Sequence, residues 1–229
     1  MTDALIVDDL MLLLLDDDGA TIRTAGTLHY TLGGALLAEL ALRERIALDE
    51  TRPGWVNGAM VTSVGEAELD DPLLQSAFDT VAEKPQRVQP LLLTLGAGLW
   101  KTVLERLEQR GLVAREQKRF LGFFKTTSWP TRDAAHEAEL RAEILAALEG
   151  GAIPSDRTAI VIGLIHASGA MPALDPPLPW NSTIATRAQA FQDGEWGAAA
   201  VGSAISRSVV QAAVAAAAAA ISVAVVVSP

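Results

Sequence analysis

The stretch that decides the fold is Leu32-Gly33-Gly34-Ala35-Leu36-Leu37-Ala38-Glu39-Leu40-Ala41-Leu42-Arg43-Glu44-Arg45, which runs directly into Ile46-Ala47-Leu48. Apolar side chains or glycine fill every position of residues 32–42 except Glu39. No wet face remains for a surface helix, so the segment reads as a buried helix. Glu39 stands four residues before Arg43, the favourable order for an i,i+4 ion pair. A basic cluster then ends the helix and leads into a short strand.

Working outward, a first apolar helix is predicted over residues 3–15, with Thr2 as N-cap. Asp16-Asp17-Asp18-Gly19 closes it with a turn; the spacing and terminal Glu of an EF-hand are absent. Short strands are expected at 21–24, 46–48 and 60–62, the last two flanking a turn at Asn57-Gly58. Asp71-Pro72 opens a helix whose apolar residues Leu73, Leu74, Ala77, Phe78 and Val81 recur at three and four. A single longer helix is expected over 91–110, striped by Leu95, Leu99, Val103 and Leu107 and closed by Gly111. Residues 112–126 read as a β-hairpin with arms at 112–114 and 120–126 and a charged turn at 115–119. Helices follow at 133–148, 158–168, 182–190 and 195–227.

The fold class is therefore mainly α: one compact helical domain over residues 1–229 with small β-hairpins. Residues 209–227 carry only Gln211 and Ser222 as polar side chains. That length could span a bilayer, but the segment is mostly alanine and no Lys/Arg cluster follows it. The preferred reading is a buried central helix, with a membrane-associated tail as the alternative. No secretory signal is expected, because the N-terminus lacks a basic segment and the apolar run at 10–15 is short.

Composition narrows the chemistry. There is no cysteine, so disulfides, thiolate metal sites and a cysteine nucleophile are excluded. His29, His136 and His166 make no metalloenzyme spacing, and His166, on an apolar helix, is expected to be a hydrogen-bonded core residue. No nucleophile, base and metal constellation or phosphate-binding glycine loop is present. No enzyme activity and no cofactor are expected. The net charge of -10 opposes sequence-blind binding to nucleic acid or anionic lipid unless a local basic patch provides it. Of the five tryptophans, Trp129, directly after the hairpin, is the best interfacial candidate.

The run Glu39-Leu40-Ala41-Leu42-Arg43-Glu44-Arg45-Ile46-Ala47-Leu48 resembles the signature helix of the Golgi phosphoprotein 3 family. Leu69-Asp70-Asp71, Glu108-Gln109-Arg110-Gly111-Leu112-Val113, Glu116-Gln117-Lys118-Arg119-Phe120-Leu121 and Leu164-Ile165-His166-Ala167-Ser168 are similar to further family segments, in the same order. The resemblance covers most of the chain. It implies a mostly helical, non-catalytic peripheral membrane adaptor whose eukaryotic relatives bind phosphatidylinositol 4-phosphate. In those relatives a tryptophan and three arginines hold the headgroup; their positions align with Thr24, Gly33, Ala97 and Trp100. None of the four is retained, so a site of that type is expected to be absent or much weakened. Arg23 and Lys101, the adjoining cations, complete the candidate headgroup residues.

The resemblance also assigns membrane contact and self-association to the hairpin. Its residues here are Phe120, Leu121, Phe123 and Phe124, with Arg115, Lys118 and Arg119 expected in the turn at its tip. The expected partners are phospholipid headgroups or a membrane-associated protein, with a homo-oligomer through the hairpin and no nucleic acid. The expected location is the cytoplasm, peripheral on the inner face of the membrane, and the alanine-rich composition suits a bacterial source. The competing reading is a winged-helix DNA-binding regulator, with residues 99–111 as the helix and the hairpin as a basic-tipped wing.

Overall fold

The computed structural model describes residues 4–16, 18–24, 26–49, 60–66, 68–120, 124–150, 152–174, 177–195 and 204–227; for 118–120, 124–126, 204–206 and 223–227 the description is of backbone only. Among these residues the fold is mainly α, as expected. Its helices are α1 (Ile6–Leu14), α2 (Leu28–Leu42), α3 (Pro72–Ala82), α4 (Val88–Gly96), α5 (Leu99–Gln109), α6 (Ala134–Leu148), α7 (Asp156–Ala167), α8 (Ser182–Gln192) and α9 (Ala204–Val227). Strands β1 (Ile46–Asp49), β2 (Met60–Ser63) and β3 (Gln86–Arg87) form one antiparallel sheet in that order. Strands β4 (Glu116–Phe120) and β5 (Phe124–Ser128) form a separate ribbon.

The helix that decided the fold is buried along almost its whole length, from Thr31 to Ala41. It packs against α1, itself buried on every side, and against α4, α7 and α9. Two glycines let α2 and α4 approach closely. A Cβ at Gly33 would collide with the Leu92 carbonyl, and one at Gly96 with the His29 carbonyl. The pairs 29/33 and 92/96 are each one helical turn apart, so the two backbones touch along one antiparallel seam.

The C-terminal helix joins this core through one face. Val209, Val210, Ala213, Val214, Ala217, Ala220 and Ile221 are buried, while Arg207, Gln211, Ala215, Ala219 and Ser222 are exposed. The helices enclosed all round are instead α1 and α2. No helix among the described residues is long and apolar enough to cross a membrane.

Four local expectations change. The first helix begins at Ile6, after Leu5, and the Leu5 amide is held by the Asp8 carboxylate at 3.0 Å; Thr2 lies outside the described residues. The expected strand at 21–24 is reduced to a single bridge between Leu15 and Ile22. The helix expected over 91–110 is two helices, because Gly98 adopts φ 71°, a left-handed conformation that cannot continue a right-handed helix. The turn at Asn57-Gly58 lies outside the described residues.

The fourth change concerns the hairpin. Glu116 pairs with Ser128, Lys118 with Thr126, Arg119 with Lys125 and Phe120 with Phe124. The charged run 115–119, expected as the turn, supplies the first arm, and the connection falls at 121–123. Leu112 and Val113, expected as that arm, enter the core instead, and Val113 makes one bridge to Thr131. The described side chains of the first arm, Glu116 and Gln117, are exposed, so charged and polar residues can serve as strand there. The shift also removes the basic tip on which the winged-helix reading depended.

Candidate functional site

Two cavities must be weighed. The first, about 440 Å³, lies between α6, the start of α7 and Ala4; its walls include Asp9, His136, Glu143, Arg157 and Thr158. Its cations are committed. Arg157 donates from Nε to Asp9 at 2.9 Å, from Nη1 to Glu39 at 3.2 Å and from Nη2 to the Ala4 carbonyl. His136 Nε2 lies 2.9 Å from the other Asp9 oxygen.

These contacts belong to a larger buried network. Glu39 accepts from Arg43 Nη2 at 3.0 Å, the pair expected from sequence, and its second oxygen caps the Ile6 amide at 2.9 Å. Asp8 takes Arg106 Nε and Nη2, both at 3.2 Å, and the same guanidinium reaches Asp71 at 2.8 Å. Asp71 also caps α3 by accepting from the Leu73 and Leu74 amides. Burial alone would lower the pKa of Arg106, but hydrogen bonds and attraction from Asp8 and Asp71 outweigh it, leaving it raised. The network joins α1 to α2, α3, α5, α6 and α7. Every buried carboxylate in it is already partnered, so it reads as a structural clasp.

The second cavity, about 250 Å³, lies between the outer face of α5 and the base of the β4–β5 ribbon. It is lined by Trp100, Lys101, Glu105, Arg115, Thr127 and Trp129. Gly98 sets the geometry. By ending α4 and restarting the chain as α5, it puts Trp100 and Lys101 in the first turn of a new helix, and Glu105 follows Lys101 one turn on. Strand alternation puts Thr127 and Trp129 on one face of β5 and its extension. The Trp129 amide donates to the Gly19 carbonyl at 2.8 Å, which fixes that wall. Lys101 Nζ lies 5.4 Å from the Trp100 ring centre, and the Arg115 guanidinium 5.5 Å from that of Trp129. Each indole is therefore paired with a cation.

Three residues singled out from the sequence thus meet: Trp100 and Lys101 from the headgroup group, and Arg115 from the hairpin. Trp129, the interfacial candidate, completes the wall. The other headgroup candidates do not line this cavity. Gly33 is buried in the α2–α4 seam, and a side chain there would strike Leu92. Arg23 and Thr24 are half-buried in the loop before α2, where Thr24 has φ 55°. Ala97 is exposed at the elbow between α4 and α5. Leu121 and Phe123, and the side chains of Lys118, Arg119, Phe120 and Phe124, lie outside the described residues. His166 is hydrogen-bonded, to Gln189 at 3.2 Å, but stands half-exposed rather than in the core. Glu105 and Thr127 were missed; i,i+4 spacing from Lys101 to Glu105 and period-two alternation from Thr127 to Trp129 are the signals that could have found them.

The model of the Golgi phosphoprotein 3 (GPP34) family matches residues 6–208. The chain belongs to that family. No curated protein matches it. The match runs from the first buried helix into α9, so it takes in the ribbon, the second cavity and all of the first except Ala4. Within that span Gly33 lies in the seam where α2 and α4 close, and Lys101 and Arg115 line the cavity beside the ribbon.

Proposed function

We propose that this GPP34 protein is a non-catalytic peripheral membrane adaptor that docks on phospholipid surfaces through the β4–β5 ribbon and the adjoining α4–α5 elbow. The observation that carries the reading is the ribbon register. Phe120 and Phe124 pair at its far end, and Lys118, Arg119 and Lys125 lie on the arms behind them, with Arg115 just before the first arm, against one carboxylate, Glu116. An apolar tip with cations one or two residues back suits an interface, where hydrocarbon lies beneath a layer of phosphates. In a chain of net charge -10 this concentration of cations is a local exception. Leu93 on α4 and Trp100 on α5 are exposed, 41% and 37%, and Trp100 lines the cavity at the base of the ribbon.

Attachment of this kind is a sum of modest terms. Each Lys or Arg near an anionic surface contributes about 1 kcal/mol, so binding should be reversible and salt-sensitive. The test is flotation with vesicles of defined composition at low and high salt. Lys118→Glu with Arg119→Glu should abolish flotation on anionic vesicles while leaving the melting temperature unchanged. Undiminished flotation of that variant, or no flotation of the parent on any vesicle, overturns the reading.

A further inference from the structure

The cavity between α5 and the ribbon carries charges of both signs that do not touch each other. Among the described residues, Lys101, Glu105 and Arg115 line one space of about 250 Å³, yet none of them is in a salt bridge. Here two exposed cations and an exposed carboxylate make no ion pair with one another, and each cation lies against an indole. The space is smaller than the roughly 300–1,000 Å³ of sites for drug-sized molecules, so it suits a compact polar group.

From this we infer that the cavity is a site for a zwitterionic phosphodiester headgroup, with the phosphate between Lys101 and Arg115 and the ammonium toward Glu105. The inference rests on the adaptor reading for its source of ligand, the membrane lipid, and goes beyond it by naming the headgroup class.

Each part of that class has its counterpart. A phosphodiester carries one negative charge and accepts charge-assisted hydrogen bonds, for which a guanidinium offers a two-pronged donor. Trp100 and Lys101 stand in the first turn of α5, whose N-cap is Gly98, with no side chain to cap it; the helix dipole adds positive potential there. An ammonium is drawn to a carboxylate, which Glu105 provides. Two cations against one carboxylate also set an upper limit on ligand charge. A phosphoinositide monoester brings several negative charges, and Glu105 would oppose them. A headgroup whose charges cancel meets no such opposition.

The test uses the full chain and indole ¹⁵N NMR, since five tryptophans give five resolvable side-chain signals. Trp100→Phe and Trp129→Phe assign two of them. Soluble glycerophosphoethanolamine, glycerophosphocholine and inorganic phosphate are titrated separately, and vesicles of phosphatidylglycerol with and without phosphatidylethanolamine are compared by flotation. The glycerophosphodiesters should shift the Trp100 and Trp129 signals and bind more tightly than phosphate. Glu105→Gln, at an exposed position, should leave folding intact. It should weaken the glycerophosphodiesters about fivefold, the value of an exposed charge pair near 1 kcal/mol, and strengthen phosphate. Phosphatidylethanolamine should improve flotation of the parent and not of the variant. Equal or tighter binding of phosphate by the parent, or no change in Glu105→Gln, overturns the site. Normal flotation in that case leaves the adaptor reading standing. Headgroup binding without any vesicle attachment overturns the lipid as its source and the adaptor reading with it.

Discussion

Arg106 on α5 reaches the fully buried Asp8 on α1 with two nitrogens, Nε and Nη2, each at 3.2 Å. The same guanidinium holds Asp71 at the start of α3. A carboxylate at 0% exposure is tolerable only while that partner remains, because an uncompensated buried charge costs far more than the pair contributes. Arg106→Met should therefore destabilise the chain by about 3–5 kcal/mol. Urea unfolding at neutral pH measures it, and a loss below about 1 kcal/mol would mean that Arg110, 3.4 Å from Asp8, suffices alone.

The α2–α4 seam makes a second prediction. Gly33→Ala places a methyl group against the Leu92 carbonyl and should cost about 1–3 kcal/mol, as overpacking does. Gly33→Arg should cost more and create no phosphoinositide binding. A stable Gly33→Arg protein that acquires affinity for phosphatidylinositol 4-phosphate would show that the seam opens.

Phosphatidylinositol 4-phosphate itself should give the parent chain no advantage beyond its charge. Flotation on vesicles matched in total negative charge, with and without that lipid, should be equal. A clear preference that disappears in Trp100→Ala would contradict the charge-limited cavity.

Burial lowers the pKa of His29 from its ordinary 6.5. The sign follows from proton counts: just below pH 6.5 the unfolded chain binds a proton that the folded chain does not, so stability falls as pH drops through that window. Below the folded pKa the penalty is constant. His29→Gln should flatten the stability profile immediately below pH 6.5, as read by urea midpoints at half-unit intervals. An unchanged slope would mean that another group carries it.

The hairpin gives a prediction about what stability does not depend on. Phe123→Ser with Phe124→Ser should abolish self-association or vesicle binding and leave the melting temperature in place. Collapse of the melting temperature, with association unchanged in whatever folds, would place those side chains in the core.

Much of this molecule was legible from local pattern. The Glu39–Arg43 pair lies within one helical turn, and the Asp71 cap depends on residues two and three positions ahead. Periodicity and capping reach that far. The clasp around α1 was not legible, because Arg106 meets Asp8 and Arg157 meets Asp9 across 98 and 148 positions. In the sequence Asp8 and Asp9 are merely two acids in an apolar helix. The ribbon register was misread because apolar residues were taken as strand and charged ones as turn. That rule fails where strand residues are exposed, as Glu116 and Gln117 are. Four of the six residues of the second cavity were within reach: Trp100, Lys101, Arg115 and Trp129. Their convergence required the break at Gly98, which the unbroken apolar stripe from Leu95 to Leu107 concealed.

The absence of cysteine permits the most direct test of the docking face. A single cysteine is introduced at Phe123, or at Ile153, at 74% the most exposed of the large apolar residues among those described, and labelled with an environment-sensitive fluorophore. On addition of anionic vesicles, the label at 123 should brighten and shift to the blue, while the label at 153 should not change. A response at 153 without one at 123 would contradict the account, because the membrane would then meet the α6–α7 side of the molecule and not the ribbon.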